Sequence, residues 1–335
     1  MTFLNTMIDA LLALLILGLA LRAVVVHSLY QSAISFIAFG LTLALAWARL
    51  AAPDVALAEA AIGAGLLGVL LIHSLRDFAT DGEDEEHSGP SIKSGDFPLL
   101  PSFIILLGVG LFAGVLLAAV LQMPDGGGLT AASAAALADS GVDHPVTAVL
   151  LNYRSYDTWL EIGVLVIAML AIFCAGGFEG FRRGHSALQP DMLIGRLARL
   201  LAPLMVLVAG YLLWLGKAYP GGAFQAGVVL GAAGIVLQMA GWHFVEAMPR
   251  WLWQWGLAIG FAFFLFAGIG FMAFDLAFLE YPPAHAGTLI LWVESFATLS
   301  IGLTLTCFYV YFTGMDKDTS SASTKGKGGA DYGNA

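Results

Sequence analysis

The sequence predicts an all-α protein, a polytopic transmembrane helical bundle of about nine spans. Three observations carry that expectation. Hydrophobic residues make up 59% of the 335, and the mean hydropathy is +0.85. Only 11% are Asp, Glu, Lys or Arg, against about a quarter in a typical soluble domain. The apolar residues gather into stretches near the ~20 that a helix needs to cross a bilayer. Hydrocarbon offers backbone groups no external partner, so the spans are helices, and the pattern is not that of a barrel.

The expected spans run roughly 5–25, 31–50, 55–75, 98–121, 158–178, 199–216, 223–245, 253–275 and 287–313. The first lacks a basic n-region and carries Asp9, so it reads as a retained span rather than a signal peptide. Polar breaks divide the chain at 76–97 and 122–156, with a basic one at 178–199. The apolar stretch Leu129–Leu137 is too short to span and suits a surface helix. The Ser/Gly/Lys-rich residues 316–335 read as a disordered tail.

Net charge is −10, much of it from the run Asp77–Glu86, which reads as a solvated loop. The absence of a basic patch speaks against a nucleic-acid partner. Cys174 and Cys307 lie in apolar runs, which suits neither a disulfide framework nor a metal site. Arg182, Arg183, Arg196 and Arg199 mark the loop after the fifth span as cytoplasmic. That places the N-terminus outside and the C-terminus on the cytoplasmic side of the membrane. Arg49 and Lys217 run against the rule.

A charge at the centre of a membrane helix costs about 2.5–3.5 kcal/mol on insertion scales, so such residues mark ion handling. Asp54 opens the third span, where it suits either a cap or a site. Glu59 lies more than a turn deeper, and Gly63, Gly65 and Gly68 after it permit close packing or local distortion. Asp157 and Glu161 stand four apart at the start of the fifth span and share a face, Asp157 suiting a cap as well. Glu294 is about two turns into the ninth span, with Trp292 two residues before it as Trp159 precedes Glu161. Lys217 suits either a snorkelling interface residue or a member of the path. It precedes Pro220-Gly221-Gly222-Ala223-Phe224-Gln225-Ala226-Gly227, where Pro and Gly favour a tight turn. No GxSxG, P-loop, HExxH or CxxC is present, so the chemistry on offer is protonation and cation coordination by carboxylates.

Three segments resemble parts of known proteins. Pro53-Asp54-Val55-Ala56-Leu57-Ala58-Glu59-Ala60-Ala61-Ile62-Gly63-Ala64-Gly65 resembles the signature of MbhD, a membrane component of membrane-bound hydrogenase, which also occurs near the end of the large MnhA-type chain of Mrp antiporters. Asn152-Tyr153-Arg154-Ser155-Tyr156-Asp157-Thr158-Trp159-Leu160-Glu161 resembles its neighbour in that hydrogenase, MbhE. Pro220–Gly227 resembles the Pro-Gly-Gly turn of the antiporter component MnhB. Ala58, Ala223 and Ala226 depart from those patterns; Ala keeps packing close but does not suit a positive φ.

The resemblance implies a three-helix MbhD-like module over 1–80, similar to the NuoJ-type membrane component of complex I. An MbhE-like two-helix module over 95–180 and an MnhB-like four-helix domain over 195–315 follow. It implies a membrane subunit of a Na⁺/H⁺ antiporter that partners other Mrp subunits, including large antiporter-like ones, in the lipid bilayer. No bound cofactor is implied, only transported Na⁺ and H⁺, with Glu59, Glu161, Asp54, Asp157, Glu294 and Lys217 along the path. Pro220, Gly221, Gly222, Phe224 and Gly227 form the structural turn. The alternative is a membrane-arm subunit of a complex I-like hydrogenase or related oxidoreductase.

Overall fold

The structure, a computed structural model, describes residues 2–26, 28–68, 70–72, 75, 99–123, 128–183, 192–242 and 244–327. Every regular element among the described residues is a helix. The acidic run 77–86 lies outside them. The chain divides into two units, one of Met1–Asp77 with Ala136–Ala335 and one of Phe78–Ala135. The second unit holds α4 (Leu99–Leu121), and α5 (Thr130–Ala136) forms where a short surface helix is expected.

The first unit opens with α1 (Thr2–Val25) and α2 (Leu29–Arg49), a helical hairpin. Ser28 caps α2 through Gln31 N–H, and the Ser32 hydroxyl reaches back to the Ala23 carbonyl. At the other end Arg49 pairs with Asp9 at 2.5 Å, so the arginine that runs against the charge rule has its countercharge on the neighbouring helix. Pro53 then starts α3 (Pro53–Glu59) at a position where its missing N–H costs nothing. The helix widens into a π-helical turn over Ala60–Leu66, at the glycines the sequence marks for distortion.

Next come α6 (Pro145–Ala148), a second π-helical stretch over Val149–Tyr153, and α7 (Ser155–Arg183). They are followed by α8 (Met192–Leu215), α9 (Ala223–Met239), α10 (Phe244–Ala247), α11 (Arg250–Met272) and α12 (Ala286–Lys327). The centre of this unit is α9 against α12. Gly227 and Gly231 bring the backbones close, since a Cβ on Gly227 would stand 2.8 Å from Ile301 and one on Gly231 2.9 Å from Leu305. Buried hydroxyls on α12 add polar ties to its neighbours. Thr298 and Thr306 donate to the Ala223 and Gly231 carbonyls of α9, and Ser300 donates to the Leu257 carbonyl of α11 at 2.5 Å.

Six described helices are long and apolar enough to cross a membrane, and Leu107–Leu121 and Ala223–Met239 are shorter apolar helices. These eight helices fall on eight of the nine expected spans, and the other, 55–75, begins as α3 and its π-helical continuation. In α9 the Pro-Gly-Gly turn fixes the start, and a Schellman end fixes the stop. There Gly241 takes φ +84° and Trp242 N–H bonds the Leu237 carbonyl at 3.0 Å. The tail differs from expectation: α12 continues to Lys327, across residues 316–327 that composition marks as disordered. No proline interrupts it, and extending a formed helix adds one bond per residue.

Candidate functional site

Four helix starts meet around one cavity of about 480 Å³. Asp54, Val55 and Ala58 come from α3; Val146, Thr147, Leu150 and Leu151 from α6 and the π-helical stretch after it. Thr158 and Glu161 come from the first two turns of α7, the Gly221–Gln225 segment from the turn into α9, and Glu294 from α12. Three of the acids marked in the sequence are therefore brought together from three separate segments, with Gly221, Gly222 and Phe224 of the turn.

Asp54 is the tie between them. It does not cap its own helix, whose N-cap is Ala52. Its Oδ1 instead accepts the Gly221 N–H at 3.1 Å, and its backbone carbonyl accepts from the Gln225 side chain at 3.3 Å. Its Oδ2 lies 3.5 Å from Nε2 of His144. Gly222 is held at φ +112°, where any other residue is strained, and a Cβ there would stand 2.8 Å from Glu294 Oε1. Positive φ thus falls on the glycines the turn retains. Ala223 and Ala226, the departures from the pattern, are helical and buried.

Glu294 is 3% exposed, and its carboxylate accepts the Ala223 N–H at the start of α9. An anion there is favoured by the partial positive charge of the helix end. Glu161 is exposed, so the cavity joins an open end to a closed one. Beside it, buried Tyr281 packs on Phe271 at 5.0 Å. Burial pushes the Tyr281 phenol well above the usual tyrosine range, and the charge of Glu294 adds to the rise.

The remaining expected path residues lie elsewhere. Glu59 does not line the cavity and folds over Gly63 of its own helix. Asp157 is paired with Arg154, three residues before it, and is half-exposed. Lys217 has an exposed side chain and serves through its carbonyl, which accepts the Asp143 and His144 N–H groups at 2.9 and 3.0 Å. Gly227 is a packing residue against α12. The echo of Trp159 in Trp292 is not structural. Trp159 donates to the Phe261 carbonyl and stacks on its ring, whereas Trp292 is 55% exposed.

Sequence reasoning missed His144, Thr147 and Thr158. Thr158 donates to the Leu150 carbonyl at 2.6 Å, occupying a backbone group of the π-helical stretch. Thr147 donates to the Gly216 carbonyl at 2.6 Å and meets Nδ1 of His144 at 3.3 Å. Among the described residues no cluster of three His, Cys, Asp or Glu could hold a metal ion.

Comparison with known proteins comes back to the same segments. Residues 193–313 match a domain related to the MnhB subunit of Na⁺/H⁺ antiporter, and residues 14–79 match MbhD of the MBH complex. No curated protein matches the chain. The structure of the Mrp complex from Dietzia sp. DQ12-45-1b contains a chain of like fold, with a TM-score of 0.67 at 22% identity. The likeness covers 92% of this chain and 34% of that one, so this chain spans about a third of its length. The cavity takes Asp54 from the MbhD-matched stretch and Gly221, Gly222 and Glu294 from the MnhB-matched one. By its domains and its fold the chain is therefore similar to an Mrp-type antiporter subunit, with an MbhD-like part ahead of an MnhB-like part.

Proposed function

We propose that the chain is a membrane subunit of a multisubunit Na⁺/H⁺ antiporter and contributes carboxylates to its ion and proton path. The observation that carries this is the shared cavity. Three acids distant in sequence meet in one recess, at a turn whose glycines leave room for Glu294. Glu161 at the open end and Glu294 at the closed end exchange protons for a cation, with Asp54 holding the turn between them. A carboxylate can do this because it is neutral when protonated and attracts a cation when not. The partners are the other subunits of the complex, among them large antiporter-like subunits, in a bacterial cell membrane. The resemblance to the MnhB and MbhD regions supports this setting.

Glu161→Gln and Glu294→Gln, each in the assembled complex, test the reading in membrane vesicles. Both keep size and polarity but lose the titrating group. Na⁺-driven proton movement is expected to fall at least about tenfold, the effect of removing one acid from a proton-transfer route, while the subunits still copurify. Normal exchange in both variants would sink the proposal.

A further inference from the structure

His144 lies in the loop before α6 and takes part in none of the sequence motifs. Its ring sits between two oxygens. Nδ1 is 3.3 Å from the Thr147 hydroxyl, and Nε2 is 3.5 Å from Asp54 Oδ2. Both side chains of the second contact are largely buried, 12% and 14% exposed.

The Thr147 hydroxyl settles the tautomer. It has one hydrogen, and that hydrogen is committed to the Gly216 carbonyl at 2.6 Å. The contact with Nδ1 must then run the other way, with Nδ1–H donating to the hydroxyl oxygen. In a neutral ring this leaves Nε2 as a bare lone pair. A bare lone pair 3.5 Å from a carboxylate oxygen in a largely buried site is repulsive, which favours a proton on one of the two atoms. It is either on Nε2, giving imidazolium and carboxylate, or on Oδ2, giving imidazole and carboxylic acid. Asp54 Oδ1 accepts from Gly221 N–H in both cases.

We infer that His144 and Asp54 share one proton, and that this pair is the proton-holding element of the cavity. The inference rests on the cavity reading above. The pair is neutral with either placement of the proton and becomes an anion when the proton leaves to the cavity water. Moving the proton from Nε2 to Oδ2 breaks the N–H bond and forms an O–H bond, so no co-reactant is needed. Release makes the cavity more negative by one charge and raises its attraction for a cation. The adjoining loops and the cavity carry other titratable or charged groups. Asp143 is its exposed chain neighbour, and Lys217 meets it through a carbonyl with an exposed side chain. Glu161 and Glu294 line the cavity from α7 and α12.

The test is the pH dependence of the apparent Na⁺ affinity, measured with NaCl on vesicles carrying the whole complex. One proton competing with one cation changes that affinity by about tenfold per pH unit. His144→Asn and His144→Gln, which can still hydrogen-bond Thr147, are expected to flatten this slope at unchanged assembly. A slope kept in both variants overturns the inference. A ¹⁵N spectrum of the histidine-labelled wild-type complex gives a reading without any substitution. It is expected to show Nδ1 of His144 protonated at every pH, and a neutral ring with its proton on Nε2 overturns the pair. The two readings separate cleanly. Loss of exchange in Glu161→Gln and Glu294→Gln with an unflattened His144→Asn slope removes the pair and keeps the cavity reading. Normal exchange in the two glutamine variants removes the cavity reading itself.

Discussion

Gly222 shows how one residue couples the turn to the acids. It needs a positive φ, and the space its Cβ would fill is held by the Glu294 carboxylate. Gly222→Ala is therefore expected to cost about 1–3 kcal/mol in backbone strain and to push Glu294 off the Ala223 N–H. Reduced exchange and a lower melting temperature of the purified complex check this; a variant equal to wild type in both would contradict it. Glu161 and Glu294 were legible in the sequence because an acid within an apolar run has no cheap explanation, whereas Asp54 suited a cap as well as a site. Glu59 met the same criterion yet faces elsewhere. At 100° per residue it lies about 140° round the helix from Asp54, whereas Ala58 lies about 40° away and does line the cavity. His144 and Thr147 were not legible, because a polar residue in a polar loop carries no signal until its partners are placed.

At the scale of elements, the packing of α9 on α12 depends on small residues. Gly227→Val adds two methyls to a Cβ already 2.8 Å from Ile301. Overpacking of this kind costs about 1–3 kcal/mol, and the yield of assembled complex after solubilisation is expected to drop. Gly195→Ala, on α8 with nothing near its Cβ position, is the control that should leave the yield unchanged. The helices themselves were readable from hydropathy, since apolar length and flanking charge are written directly in the chain. The two π-helical stretches were not. One extra residue in a turn hardly alters an apolar pattern, and only the glycines after Glu59 hinted at the first. The motif around Asn152 makes sense once the second is seen. Asn152 donates to the Ser140 carbonyl, Arg154 pairs with Asp157, and Thr158 occupies the Leu150 carbonyl.

For the whole molecule, the orientation inferred from the loop arginines predicts a cytoplasmic C-terminus. A fluorescent-protein fusion at the C-terminus is expected to fluoresce and a periplasmic phosphatase fusion there to stay inactive; the reverse pattern inverts the topology. On that orientation the starts of α3, α7, α9 and α12 face outward, and the cavity opens toward the outer side. The length of α9 adds something further. Its 17 residues span about 25 Å, less than the ~30 Å of bilayer hydrocarbon. Glu294, about two turns into α12, reaches the Ala223 N–H, so the Pro-Gly-Gly turn lies about two turns deeper than the start of α12, as the floor of a recess. A full membrane voltage is worth about 2.3 kcal/mol per charge for each 100 mV, and it drops across whatever insulating thickness remains. An ion that reaches this floor has already passed through part of that drop before any carrier step begins. On the proposed ion path, the recess turns membrane voltage into local ion concentration, so that occupancy of the cavity is expected to follow the electrical state of the cell as well as its salt and pH.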